Sequence, residues 1–447
     1  MTLKQRRLLF YCFILLFIIV VPIVLIYATG RTVNWQRLEF QKTATLVIDS
    51  SPDKATVYLN GRSPGNLADR LFSPSDITTK AKLSGIVPGT YTLRLESLGY
   101  LPWEEQITLR PGEVFNTGSI RLFAQTKPEF ITELASNSVT SANGDSIASL
   151  EGQALRIYHL PEATSQDIQL PTKPVRSELA WSTDGERLLI GHDTVIDRDG
   201  KTRSDVRTAL IDAKLVRWEQ DSQTIYFVAN KRLSRVDSAT GAVTVLRDLS
   251  DFNSVLDLYV SSGHIFLVTT VADRTELVIL SDNSLANDSR SQLKNGPYHF
   301  INTNQDAPAL ADETRHDLYL IERPLPFMFA YRLTLVTQDF RLGSWNGSEL
   351  VYATPFELRR WRPDENESLL ARWSEPVTAV RRLPGGNQVL FATATTIQVL
   401  PSDEQAFRPT VRLAGATLIN GFSSVTETAI FFIGTVNGQT GLFRLAI

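Results

Sequence analysis

The residues able to do chemistry are scattered through this sequence rather than gathered. His159, His192, His264, His299 and His316 lie far apart, with no His-x-His or His-x-x-x-His pair. Metal-ligand spacing is therefore absent, and each histidine reads as a satisfied surface or core imidazole. The single cysteine, Cys12, sits in an apolar run, so the rest of the chain has no disulfide, no thiolate metal site and no cysteine nucleophile. No Gly-x-Ser-x-Gly elbow, phosphate loop or dinucleotide fingerprint occurs. Asp197-Arg198-Asp199-Gly200 begins like a calcium loop but lacks the downstream carboxylates, and reads as a plain turn. The expectation is a chain with no catalytic residue, no cofactor and no metal.

A hydrophobic content of 43% with 21% charged residues is that of a globular chain, and 447 residues is long enough for two or three domains. The net charge of −3 is unevenly spread. Lys4, Arg6 and Arg7 are the only charges in residues 1–30, which leaves 42 basic against 48 acidic residues beyond them. Nucleic-acid readers carry a basic excess, so no nucleic-acid partner is expected.

Leu8 to Ala28 is a run of 21 residues without a charge. As a helix it would extend roughly 30 Å, the thickness of a bilayer's hydrocarbon core. Pro22 is tolerated in such a helix, and Tyr27 and Trp35 stand where an aromatic belt would be. A cleaved signal peptide has a shorter apolar core and a small-residue cleavage site, for which Ala28-Thr29-Gly30 is a weak match; a buried core helix is the other alternative. The expectation is a retained single-pass anchor. Lys4, Arg6 and Arg7 precede it, so residues 1–7 are expected in the cytoplasm and residues 31–447 outside. Residues 29–42 read as a juxtamembrane linker.

Five strand-like pieces follow: Ala44–Asp49, Ala55–Leu59, Gly89–Ser97, Trp103–Arg110 and Thr117–Phe123. Ser51-Pro52, Asn60-Gly61, Val87-Pro88-Gly89, Leu98-Gly99-Tyr100 and Arg110-Pro111-Gly112 punctuate them, which points to a small β-sandwich over residues 43–123. Ile48 to Arg62 reads as its first hairpin, and the polar stretch 63–82 as an insertion. Gly61, Gly89 and Gly112 are expected at positive φ in turns. Tyr100 and Trp103 are expected to cap the core.

Ser51, Pro52, Ala55, Val57 and Gly61 open a pattern that Pro88, Gly89, Tyr91, Leu93, Gly99, Tyr100, Pro111, Gly112 and Glu113 complete. It resembles the PEGA domain of bacterial and archaeal surface proteins. Pro52-Asp53-Lys54-Ala55 replaces the namesake tetrapeptide, whose Gly is missing here. The resemblance implies an extracellular spacer or adhesion-type module without catalysis.

After a linker at 124–129, residues 130–447 repeat themselves. Hairpins such as "LAWSTDGERLLIG" (179–191), "LVRWEQDSQTIYFV" (215–228) and "VRRLPGGNQVLFA" (380–392) turn near residues 144, 185, 222, 263, 347, 386 and 427. The gaps are 41, 37, 41, 84, 39 and 41, and the double-length gap predicts a degenerate unit near residue 305. A period of about 40 with two hairpins per unit is that of a β-propeller. Seven or eight blades are expected. "AWSTDGERLLI" (180–190) resembles the Trp-Ser-Pro-Asp-Gly repeat of TolB-like, WD-type propellers, which implies that Trp181 packs between blades while Asp184 and Gly185 make a turn.

The fold class is thus all-β behind an N-terminal transmembrane helix: a PEGA-like sandwich, then a propeller. The stretch "ERPLPFMFAYRL" (322–333) is its most unusual feature. It reads either as a buried connection within the degenerate fifth blade or as an exposed apolar loop whose Phe327, Met328, Phe329 and Tyr331 dock a partner. The function expected is that of a non-enzymatic, membrane-anchored surface protein whose propeller binds an envelope protein or glycan, including as an accessory of envelope assembly or secretion. The alternative is a glycan-active propeller enzyme, a hydrolase or lyase. A hydrolase would need two carboxylates about 5–10 Å apart in the channel.

Overall fold

The computed structural model describes residues 3–28, 31–34, 39–64, 77–201, 203–261, 263–281, 284–303, 308–322, 331–346, 349–363, 365–385, 387–402 and 410–447. Two compact units form: residues 1–126 with 404–413 and 447, and residues 127–403 with 414–446.

The first unit opens with helix α1 (Leu3–Ala28), whose side chains are described at Arg6 and over residues 9–21. Among the described residues, no helix is long and apolar enough to cross a membrane. The side chains from Leu9 to Val20 are exposed on every side of the helix. Strands β1 (Arg31–Asn34) and β2 (Glu39–Lys42) make a short antiparallel hairpin inside the stretch read as a linker.

Six further strands build the sandwich: β3 (Ala44–Ser51), β4 (Thr56–Leu59), β5 (Ala81–Ile86), β6 (Gly89–Glu96), β7 (Trp103–Leu109) and β8 (Val114–Arg121). They form two three-stranded sheets, ordered β5-β3-β8 and β4-β6-β7. Alternation builds the core. Ala44, Leu46 and Ile48 of β3 face inward, opposite Leu93 and Leu95 of β6 and Trp103, Ile107 and Leu109 of β7. Each such Leu or Ile stabilises the fold by roughly 1.5–3 kcal/mol through burial. Trp103 is buried and Tyr100 packs partly buried against this cluster, as the capping expectation had it.

Three expectations are corrected here. Ile48 to Arg62 is not a hairpin, because β3 and β4 belong to different sheets and the chain crosses the sandwich at Ser51-Pro52. Proline lacks the N–H that would continue a ladder, and β3 pairs instead with β5 and, in parallel, with the distant β8. The polar stretch ends in a strand of its own, β5, an edge strand that buries only Leu83 and so carries little apolar signal. Gly61 and Gly112 hold positive φ as expected, but Gly89 does not; it opens β6 in extended conformation, and the positive φ nearby belongs to Gly85 (79°), in the bulge where β5 pairs with β3.

Beyond the sandwich, the described residues form eight four-stranded sheets, which settles the blade number at eight. Blade 1 covers 137–169, blade 2 179–205, blade 3 215–248, blade 4 254–293, blade 5 298–337, blade 6 342–372, blade 7 377–415, and blade 8 418–446 with a borrowed strand. That borrowed strand is Glu129–Thr132. It pairs Phe130 with Phe443 and Glu129 with Arg444, so the start of the unit closes its last blade. The degenerate unit expected near residue 305 is blade 5. A four-residue helix, α2 (Arg207–Leu210), follows blade 2.

The second strand of each blade explains the repeated apolar runs. Thr224–Ala229 and Gln388–Thr393 are buried on both faces, because each sheet packs against a neighbour on either side. Apolar clusters join consecutive blades: 1 to 2 through Trp181 and Leu188, 3 to 4 through Tyr226 and Leu267, 6 to 7 through Val351 and Phe391. Ile147 and Tyr158 of blade 1 share a cluster with Phe431 and Leu442 of blade 8, which closes the ring. This is a β-propeller.

Candidate functional site

The first strands of neighbouring blades approach one another, which places them innermost around the propeller axis. Two adjacent residues of this strand serve opposite neighbours. Trp218 of blade 3 reaches back, donating Nε1–H to the Ala180 carbonyl of blade 2 at 3.0 Å, and Trp181 of blade 2 does the same to Val139 of blade 1 at 3.1 Å. Arg217 reaches forward. Its Nη2 donates to Asp257 Oδ1 of blade 4 at 2.9 Å, and Asp257 Oδ2 accepts the Phe300 amide of blade 5 at 2.8 Å. Asp257 is buried beside a half-exposed Arg217. In blade 7, Arg382 occupies the position of the tryptophan and reaches back to Glu349 of blade 6, which Arg362 Nε also binds at 2.6 Å. Burial pulls the Arg382 guanidinium below its ordinary value.

On one face, the turns after the first and third strands of blades 1–3 surround a cavity of about 640 Å³ lined by His159, Glu162, Asp184, Glu186, Asp197, Arg198, Asp199 and Asp221 among others. These carboxylates have a local occupation. Asp184 Oδ1 accepts the Ser182 hydroxyl and the Glu186 amide at 2.6 and 2.9 Å. Asp221 Oδ1 accepts the Gln223 and Thr224 amides at 2.8 and 2.9 Å. Asp199 Oδ1 accepts the Lys201 amide at 3.1 Å. Such bonds favour the ionised form. Burial works to raise the Asp184 carboxyl, but the bonds from Ser182, Glu186 and Ser222 outweigh it and hold it low. The Lys201 ammonium keeps Asp199 low as well. The turns also bind blade to blade, since the Asp184 amide donates to Ser222 Oγ of blade 3 at 3.0 Å and Asn143 Nδ2 of blade 1 donates to the Asp184 carbonyl at 3.2 Å. Trp181, Asp184 and Gly185 (φ 75°) thus take the places that the WD-type resemblance implies. Asp197 to Gly200 is a turn closed by the Gly200 amide on the Asp197 carbonyl at 2.7 Å.

A second cavity, of about 1050 Å³, lies where the borrowed strand passes blade 1. Tyr158 and Thr132 hydroxyls meet there at 2.7 Å, and Arg156 forks onto the exposed Asp167.

The histidines are dispersed in space too, and among the described residues no group of three His, Cys, Asp or Glu could hold a metal ion. His159 Nδ1 lies 3.3 Å from Ser146 Oγ and from Arg198 Nε. His299 faces Glu313 at 3.2 Å, and His316 faces Arg341. His192 differs. It is buried in the turn between the second and third strands of blade 2, at φ 62°, with Nε2 3.3 Å from Glu178. Desolvation first, and then the nearby Arg176, lower its pKa against the pull of Glu178 and Asp193. The folded state therefore binds this proton less well than the unfolded chain. Stability should be full above the ordinary imidazole value of about 6.5 and fall as the pH drops through it towards the lowered value. Denaturant midpoints between pH 7.5 and 5 should show this decline, and His192→Asn should flatten it while tolerating the positive φ. An unchanged profile would refute the assignment.

Of the four docking candidates, Phe327, Met328 and Phe329 lie outside the described residues. Tyr331 stands just before the fourth strand of blade 5. It is half-buried, edge-on to Phe266 at 6.0 Å and to His264 at 5.8 Å. Sequence reasoning passed over Arg217, Asp257, Glu349 and Arg382. A signal existed: "VRW" (216–218) and "VRR" (380–382) both place Arg five residues before a hairpin turn.

Against known families, one comparison is decisive for the first unit. Residues 43–120 match the PEGA domain. The PEGA match covers all six sandwich strands except the last residue of β8. No curated protein matches the chain. Among solved structures, the propeller resembles a eukaryotic initiation factor (14% identity, TM-score 0.48, 70% of this chain and 84% of that one). It also resembles the Dos1 propeller (12%, 0.46, 72% and 95%). A third likeness is the β-propeller domain of Myceliophteria thermophila Cps50 (Swd1), at 14%, 0.40, 60% and 96%.

Proposed function

We propose that this is a non-enzymatic, membrane-anchored surface protein whose propeller binds an envelope protein or glycan at its central channel, with the PEGA domain as spacer or adhesion module. The observation that carries the binding reading is the wiring of the carboxylates. In the cavity of about 640 Å³ on the turn face, Asp184, Asp199 and Asp221 are engaged by turn amides, hydroxyls and an ammonium, and Asp184 and Asp199 are held low, a state suited to shape and charge rather than to donating a proton. The innermost first strands contribute the cationic groups Arg217 and Arg381, which suit recognition of an acidic or polar partner. The anchor reading rests on the 21 uncharged residues 8–28 within one helix of 26 residues and on apolar side chains exposed all round it. Basic residues 4, 6 and 7 orient it with residues 31–447 outside.

Cross-linking of the full chain in intact envelopes, followed by identification of the captured partner, tests the binding reading, with protease shaving of unbroken cells as the test of topology. A reproducible partner and shaving of the propeller are expected. Turnover of a glycan by the purified chain, or protection of the propeller in unbroken cells, would overturn the corresponding part.

A further inference from the structure

Blades 3 and 7 are four apart in a ring of eight, so their first strands stand on opposite sides of the channel. Both carry an arginine at the same register. Arg217 pairs with Tyr226 and its neighbour Trp218 with Ile225; Arg381 pairs with Leu390 and its neighbour Arg382 with Val389. The two side chains also leave the strand alike, each donating Nη1 to the carbonyl just before it, at 3.1 Å to Val216 and 3.2 Å to Val380. The remaining arm is thereby aimed at the next blade. For Arg217 that arm meets Asp257.

The equivalent position beyond Arg381 follows from the ladders. Tyr259 pairs with Phe266 and Asp257 with Val268 in blade 4, while Ser424 pairs with Phe431 and Gly421 with Ile433 in blade 8. Gly421 therefore stands where blade 4 has its aspartate. A Cβ built on Gly421 would meet no atom within 4 Å, and its backbone is not left-handed, so the space is open. Among the described residues Arg381 has no carboxylate partner, although its surface is open to solvent. Protein atoms nonetheless crowd the guanidinium enough for burial to lower its pKa, as expected of a group inside a channel.

We propose that Arg381 and the open space over Gly421 form a receptor for a carboxylate of an acidic peptide segment, which takes the place that the Asp257 carboxylate holds beside Arg217. The chain supplies its own template for this recognition: an aspartate on an extended strand, gripped by an arginine of the preceding blade and by a backbone amide of the following one. This assignment rests on the channel-binding reading and names the chemistry of what the channel takes.

The test uses the full chain in detergent micelles and a blocked hexapeptide holding two aspartates, with its asparagine counterpart and a uronic-acid oligosaccharide as parallel probes, read by calorimetry. The acidic peptide should bind and the asparagine peptide should not. Arg381→Gln should weaken binding by about tenfold or more. Gly421→Asp should weaken it comparably while raising the melting temperature, because the new carboxylate then pairs with Arg381 as Asp257 does with Arg217. Equal binding of both peptides, or unchanged affinity in Arg381→Gln, would overturn the proposal; the latter variant decides alone if Gly421→Asp does not fold. Arg381-dependent binding of the oligosaccharide without binding of the peptide would overturn the peptide assignment. An envelope partner captured equally by wild type and Arg381→Gln would leave the proposed function standing and remove this site. Arg381-dependent peptide binding with no partner captured in envelopes would do the reverse.

Discussion

Glu349→Ala is expected to destabilise the propeller by about 3–5 kcal/mol, because it strands a buried cation. Glu349 stands at the start of the second strand of blade 6, with its side chain 13% exposed, between Arg362 of its own blade and Arg382 of blade 7. Arg362 keeps a second partner, Glu365, at 2.9 Å. Arg382 is only 10% exposed and would face the gap alone. Arg382 also occupies the register that tryptophan fills in blades 2 and 3, so the ion pair replaces an apolar staple between blades. That substitution suggests a second arm to the experiment. The double variant Glu349→Leu with Arg382→Met should recover most of the loss, since well-packed apolar residues commonly match a buried ion pair in stability. Denaturant unfolding of the full chain, followed by tryptophan fluorescence, measures both. A single variant within about 1 kcal/mol of wild type would mean that the pair is solvated and contributes little.

Trp218→Ala should cost a similar amount, about 3–5 kcal/mol, for a different reason. The indole is 8% exposed and fills a cluster with Leu189 and Val195 of blade 2, Leu210 of α2 and Phe227 of its own blade. Truncation leaves a cavity between two sheets and removes the donor to the Ala180 carbonyl. Trp218→Phe separates the two contributions. It keeps most of the packing and should cost about 1–2 kcal/mol, chiefly the lost hydrogen bond and residual void. If alanine and phenylalanine prove equally costly, the hydrogen bond rather than the packing holds blade 3 to blade 2.

Legibility in the sequence followed the distance over which each feature is built. The runs "TIYFVA" and "QVLFAT" announce strands buried on both faces, and Asp184-Gly185 announces the turn it makes, because each is decided by neighbours a few residues away. The period near 40 became a propeller for the same reason: blades 1 to 7 are each a meander of four consecutive strands, and blade 8 a meander of three. Ile48 to Arg62 misled because two strands around a turn look alike whether they pair with each other or cross to opposite sheets. Strand β5 escaped notice because an edge strand with one buried leucine has almost no pattern to read.

The candidate site was the least legible part. Arg217 and Asp257 are 40 residues apart, and nothing near either one marks the other as its partner. What makes them a pair is that consecutive blades stand face to face.

Composition, spacing and turn chemistry on their own determined the order of segments, the sandwich-then-propeller architecture and the structural work of Trp181, Asp184 and Gly185. The tertiary structure alone decided three things. It set the parallel pairing of β3 with β8, the closing of blade 8 by residues 129–132, and the arrangement in which the inner arginine of blade 3, Arg217, is neutralised by Asp257 of the next blade. The physical reason is common to all three. Local hydrogen bonds and hydrophobic alternation act within a hairpin, whereas these contacts form only once the ring and the sandwich have closed and brought distant stretches of chain to one place.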